Sequence, residues 1–184
     1  MPDPHPGPVP PGRVIAIDHG DRWIGVALSD DHHRLALPNT TIDRRALPQN
    51  TAAAIAQRLR EALGQDHAGL LVVGVPYRRD GSEDAQAAGF RRLGQEVAAA
   101  LGLPMAVQEE RYSNTSALPL PTATPAGARS GRSGRKPGAL TPARRNRERQ
   151  QRHAGAAATI LQRWLDAQLA PPPTPPPTDH EVDP

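Results

Sequence analysis

Cysteine is absent from the 184-residue chain. That excludes disulfides, thiolate metal sites and cysteine nucleophiles. Aromatic residues are almost as scarce, with only Trp23, Tyr77, Phe90, Tyr112 and Trp164. The core must therefore be assembled from Ala, Leu, Val and Ile. No apolar run approaches about 18 residues, so no transmembrane helix and no membrane partner are expected. The opening Met-Pro-Asp-Pro-His-Pro has no basic cluster followed by an apolar stretch. It does not read as a signal peptide, and the expected location is the cytoplasm.

Proline is abundant instead, and 13 of the 22 prolines lie in residues 1–12 and 171–184. Segments that rich in proline contribute little to a packed core, so residues 1–12 and 170–184 are expected to be disordered tails. Residues 13–169 then form one domain. The net charge of +3 conceals an asymmetry. From Tyr112 to Arg152 there are nine basic residues and one acidic residue, Glu148, while the rest of the chain carries 13 basic and 18 acidic residues. The local excess of cations, not the total, is what a phosphate backbone would meet.

The elements read in order from the apolar patterning. Arg13 to Asp18 and Trp23 to Ser29 are strands joined by the turn His19-Gly20-Asp21, and a short strand spans Arg34 to Leu37 and resumes at Thr41. Ala52, Ile55, Ala56, Leu59 and Leu63 recur at helical spacing. Leu70-Leu71-Val72-Val73 suits a strand buried on both faces. Ser82 can cap a second helix, with Glu83 and Asp84 in its first turn. Phe90, Leu93, Val97, Ala100 and Leu101 form its stripe, and Gly102 and Pro104 stop it. Met105 to Gln108 is the last strand. Residues 113–150 lack periodicity and read as a flexible basic loop, with Arg144 to Arg152 as a candidate helical extension. His153 to Leu169 is the last helix. This order implies an α/β fold with a mixed sheet and helices packed against it.

Two strand ends carry the candidate chemistry. Asp18 ends the first strand, and Glu109 and Glu110 end the last. Ligand sites collect at such C-terminal ends. Hard oxygen ligands from neighbouring strands suit Mg²⁺ or Mn²⁺, although a turn cap at Gly20 and a solvated strand end explain the same residues. His153 shares a helical face with Ala157, Ile160 and Trp164 and so points inward. His32, His33 and His67 read as solvent-exposed.

The run from Ile17 to Asp30, with Ile17-Asp18-His19-Gly20 and Ile24-Gly25-Val26-Ala27, resembles the opening motif of the YqgF family of Holliday-junction-resolvase-like proteins. Val73-Gly74-Val75-Pro76 with Asp80-Gly81-Ser82-Glu83 and Gln86 resembles the second motif, and Leu103-Pro104 with Glu109-Glu110-Arg111 the third. Ala156 to Gln162 with Leu165-Asp166 resembles the last helix. The resemblance implies an RNase H-like mixed five-stranded sheet flanked by helices. It implies a metal-dependent nuclease that trims the 5′ end of the small-subunit rRNA precursor. Carried over by position, Asp18 and Glu110 hold Mg²⁺ or Mn²⁺, and Glu109 assists. His153 stands where the family usually has an acid, so it either completes the catalytic and metal-binding set or leaves the enzyme weak. Arg22, Asp80, Ser82, Arg111, Arg144 and Arg145 are the expected nucleic-acid contacts. RNA is the first expected partner and branched DNA the alternative. A nucleic-acid-binding protein that has lost efficient catalysis is a third reading.

Overall fold

A computed structural model describes residues 11–78, 80–111 and 142–169. For residue 111 and residues 142–146 only the backbone is described. The strands are β1 (Arg13–His19), β2 (Trp23–Ser29), β3 (Ala36–Asp43), β4 (Ala68–Tyr77) and β5 (Met105–Arg111). The helices are α1 (Ala52–Leu63), α2 (Ala85–Leu101) and α3 (Pro142–Leu169). The strand order is β3-β2-β1-β4-β5. β1 pairs antiparallel with β2 and parallel with β4, while β2–β3 is antiparallel and β4–β5 parallel. This is the mixed five-stranded sheet flanked by helices that the sequence implies.

Alternation along the strands splits the core in two. Ile15 and Ile17 of β1, with Leu71, Val73 and Val75 of β4, pack against Ile55, Leu59 and Val97 of α1 and α2. Val14, Ala16, Leu70 and Val72 face Ala157, Ile160, Leu161, Trp164 and Leu165 of α3. Each fully buried Leu or Ile contributes on the order of 1.5–3 kcal/mol relative to exposure, so aliphatic residues suffice where aromatics are few.

Local chemistry sets the element ends. Thr51 caps α1 by accepting from the Ala54 amide at 3.3 Å. Gly102 ends α2 in the left-handed region (φ 74°) that L side chains avoid, and its N–H donates to the last turn. Three expectations are corrected. The cap of α2 is Asp84, which accepts from the Ala87 amide at 2.9 Å, and Ser82 lies before it. β3 is one strand through Pro38, because a bulge opposite Val26 and Ala27 absorbs Asn39. His33 is half-buried rather than exposed, and its Nε2 lies 2.7 Å from the Gly12 carbonyl.

α3 begins at Pro142, so the candidate extension is helical and residues 142–150 belong to the helix rather than to a loop. Hydrogen bonds to β3 and to Arg34 just before it also hold the helix. Thr41 Oγ1 donates to the Gln150 carbonyl at 2.8 Å, and Gln162 both accepts from the Ala36 amide and donates to the Arg34 carbonyl. The expected tails and the basic segment 113–141 lie outside the described residues, apart from residues 11 and 12. Among the described residues no helix is long and apolar enough to cross a membrane.

Candidate active site

Strand parity decides which acids meet. Asp18 follows Val14 and Ala16 and therefore turns to the α3 face. Ala106 of β5 packs on the same side, so Glu110 turns there too while Glu109 faces away and is exposed. β4 lies between them, and by alternation its Gly74 is on the same face as Leu70 and Val72. A Cβ built there would sit 3.5 Å from Glu110 Cδ and 2.5 Å from Ile160 Cδ1. A side chain at that position would touch the carboxylate at ordinary contact distance but would displace Ile160 of α3.

The third element is the middle of α3. Gly25 pairs with Asp18 across β1–β2, and a Cβ on Gly25 would come within 1.9 Å of the His153 carbonyl oxygen. The absence of a side chain at Gly25 lets the helix backbone rest on the sheet. His153 Nδ1 then lies 3.6 Å from Asp18 Oδ2, a contact longer than a hydrogen bond. The two side chains are 32% and 19% exposed, so substrate can reach them.

The two carboxylates are held against their ordinary ionisation. Burial raises Asp18, and His153 partly offsets this. Burial and the negative charge of Asp18 push Glu110 up to about 7, with Arg163 opposing. Burial and mutual repulsion of two carboxylates are conditions that a cation relieves. Mg²⁺ is commonly held by one or two carboxylates, with water and substrate phosphate completing its shell. Asp18 and Glu110 fit that donor set. Among the described residues no three His, Asp or Glu side chains form a metal-binding cluster. His153 thus reaches Asp18 without closing a three-ligand cage.

The expected nucleic-acid contacts do not all converge here. Arg22 Nη2 bonds Asp43 Oδ2 at 2.9 Å, and the guanidinium lies 4.7 Å from the Trp23 ring centre. Asp80 Oδ1 accepts from the Ser82 amide and hydroxyl, which closes a local turn. The start of α2 carries the Asp84 carboxylate, so it does not offer the open anion site expected near Ser82. The side chains of Arg111, Arg144 and Arg145 lie outside the described residues.

Two residues escaped the sequence reading. Arg163 is close enough to Glu110 to act on its charge. His19 is only 7% exposed, with both ring nitrogens among the buried atoms lacking a hydrogen-bond partner. Burial and Arg44 lower its pKa to about 4, so the ring is neutral. The alternation Ile15, Ile17, His19 was the available signal, since it places His19 on the α1/α2 face, opposite Asp18.

Comparisons with known proteins converge on one group. Residues 12–167 match the model of the RuvX family, described as Holliday junction resolvase. A "Putative pre-16S rRNA nuclease" of Anaeromyxobacter sp. (strain Fw109-5) is 36% identical over 158 residues, covering 86% of this chain and 99% of the relative. A protein of the same name from Thermosynechococcus vestitus is 33% identical over 161 residues, 84% of this chain and 88% of its own. Another, from Roseiflexus sp. (strain RS-1), is 37% identical over 107 residues, 58% of this chain and 72% of its own.

Proposed function

This chain belongs to the RuvX family, and from that membership we propose that it is a metal-dependent nuclease acting in 5′-end maturation of pre-16S rRNA. The observation that carries the reading is the meeting of Asp18 and Glu110 on one face of the sheet, with Glu110 pushed up to about 7. Residues 13–169 act as one nuclease unit in this reading. An rRNA precursor as substrate implies a cytoplasmic location.

Asp18 and Glu110 would hold Mg²⁺ or Mn²⁺. A divalent cation there supplies Lewis acidity and neutralises charge on the scissile phosphate. The rest belongs to the chain. His153 Nδ1 faces Asp18, which favours the tautomer protonated at Nδ1 and leaves the Nε2 lone pair to take a proton. Gly25 and Gly74 let α3 rest closely on β2 and β4, which brings His153 to Asp18. Arg163 is placed to attract the phosphate backbone beside Glu110.

The purified chain would be given precursor rRNA, a four-way DNA junction and single-stranded RNA, each with Mg²⁺ or Mn²⁺, beside Asp18→Asn. Cleavage of the precursor should fall at least 100-fold in Asp18→Asn, the low end of what a lost charge-stabilising group costs. Undiminished cleavage by that variant removes the site assignment. The description of the matching family favours branched DNA as the second reading, and preferential cutting of the junction would establish it. Binding without cleavage under either metal would leave a nucleic-acid-binding protein.

A further inference from the structure

The other face of the sheet carries an open cavity of about 560 Å³ at the tip of β1. Asp21 lies on its wall, three residues after Asp18 in the turn between β1 and β2. Arg44 lies there too, tied to that turn by its Nη1 bond to the Gly20 carbonyl and to Asn50 by its Nε. The cavity is therefore a neighbour of the Asp18–Glu110 site, reached by crossing one tight turn.

Its floor is unusual for a chain with five aromatic residues. Phe90, the sole phenylalanine, is half-buried on the cavity wall instead of in the core. Its ring stacks on His19, with centroids 5.1 Å apart and planes at 16°. A Cβ on the adjacent Gly89 would meet nothing within 4 Å, so the wall beside the ring is open. His19 beneath it is a buried imidazole with both nitrogens unpartnered, a cost that a native fold retains where a bound group or water can offset it.

The remaining wall is polar. Arg44 and Arg92 contribute guanidinium groups, and Arg92 is exposed with no ion pair among the described residues. Gln86 offers an amide edge with donor and acceptor side by side. Asp21 and Glu96 add acceptors suited to sugar hydroxyls or exocyclic amines. An aromatic face, two guanidiniums and a few acceptors in one cavity match a planar heterocycle carrying a sugar and one phosphate. The two acids oppose a second phosphate.

We infer that this cavity binds a nucleotide, its base stacked on Phe90 and its phosphate on Arg44 and Arg92. The nucleotide belongs to the substrate strand as it leaves the Asp18–Glu110 site, an assignment that rests on the nuclease reading above. The cavity thus selects an unpaired nucleotide near the scissile bond, because a base held in a duplex cannot stack on a protein ring.

The test reads binding separately from cleavage. The full chain is titrated, in EDTA, with a single-stranded RNA oligonucleotide carrying 2-aminopurine and, in a second arm, with AMP. Phe90→Ala should weaken oligonucleotide binding roughly tenfold, while Phe90→Tyr should retain it. Replacing one base by an abasic site should cost wild type a similar factor and cost Phe90→Ala nothing further. Arg92→Ala, at an exposed position that cannot disturb packing, should weaken AMP binding and leave adenosine binding unchanged. Equal oligonucleotide affinity of folded Phe90→Ala and wild type, checked by thermal melting, overturns the proposal. Loss of AMP binding alone overturns the substrate strand as the source. Failure to cleave any nucleic acid would sink the nuclease reading without moving these binding results.

Discussion

Glu110 carries the most consequential charge in the molecule. In the folded chain it keeps its proton up to about 7, against an ordinary value of 4.5. Between those values the folded state holds a proton that the unfolded state has released. Stability must therefore fall as pH rises through that window, and the raised Asp18 acts in the same sense. Denaturant unfolding across the window in EDTA should show the fall, and Mg²⁺, which favours both ionised carboxylates, should flatten it. A flat EDTA curve would mean that burial does not raise Glu110 in the folded chain. The choice between Glu109 and Glu110 was legible in the sequence only through family resemblance. Its physical cause is strand parity set by Ala106, and parity needs the register that pairing supplies. His153 was legible as inward-facing, but its partner was not. Since it reaches Asp18 without completing a cage, His153→Asp should raise Mg²⁺-supported cleavage relative to Mn²⁺-supported cleavage, measured as a rate ratio. An unchanged ratio in His153→Asp would show that this position does not influence the choice of metal.

Among the elements, α3 brings the site together. Its apolar half announced itself by spacing, but its first eleven residues did not, because Pro142 to Arg152 contains no apolar stripe. What holds that half is the sheet edge, through Thr41 and the Gln150 carbonyl, and no single-sequence period records such a contact. Gly25 was visible as part of a motif, yet its reason appears only when the helix is laid across it. Gly25→Ala would put a methyl group 1.9 Å from the His153 carbonyl, so the helix must lift. Overpacking of this kind costs roughly 1–3 kcal/mol. The variant should unfold at lower denaturant, and its cleavage rate should drop further than its folded fraction accounts for. Wild-type melting together with wild-type rate would show that the helix does not depend on this approach. The misplaced cap of α2 has a simpler cause. Ser82, Glu83 and Asp84 all precede the helix with capping chemistry, and Ser82 is already taken by Asp80.

For the whole molecule, charge is divided by region. The sequence outside 112–152 carries 13 basic and 18 acidic residues, and those acids include Asp18 and Glu110. Four of those acids, Asp3, Asp179, Glu181 and Asp183, lie in the terminal segments, so residues 13–111 and 153–169 are close to neutral and attraction of a polyanion falls to the basic residues of 112–152 and of α3. Arg149, Arg152 and Arg163 are exposed on α3. Arg129, Arg132, Arg135 and Lys136 lie in the sequence between β5, which ends at Arg111, and α3, which starts at Pro142. In chain order they stand between the strand that carries Glu110 and the helix that carries His153. Each phosphate contact contributes about 0.9 to the slope of log affinity against log salt on duplex, and about 0.7 on single strands. Replacing all four by Gln keeps the chain length and should lower that slope by roughly three to four units if each meets a phosphate. Affinity at low salt should fall with it, while thermal stability stays unchanged. A slope unaltered by the four substitutions would remove these residues from the phosphate contacts.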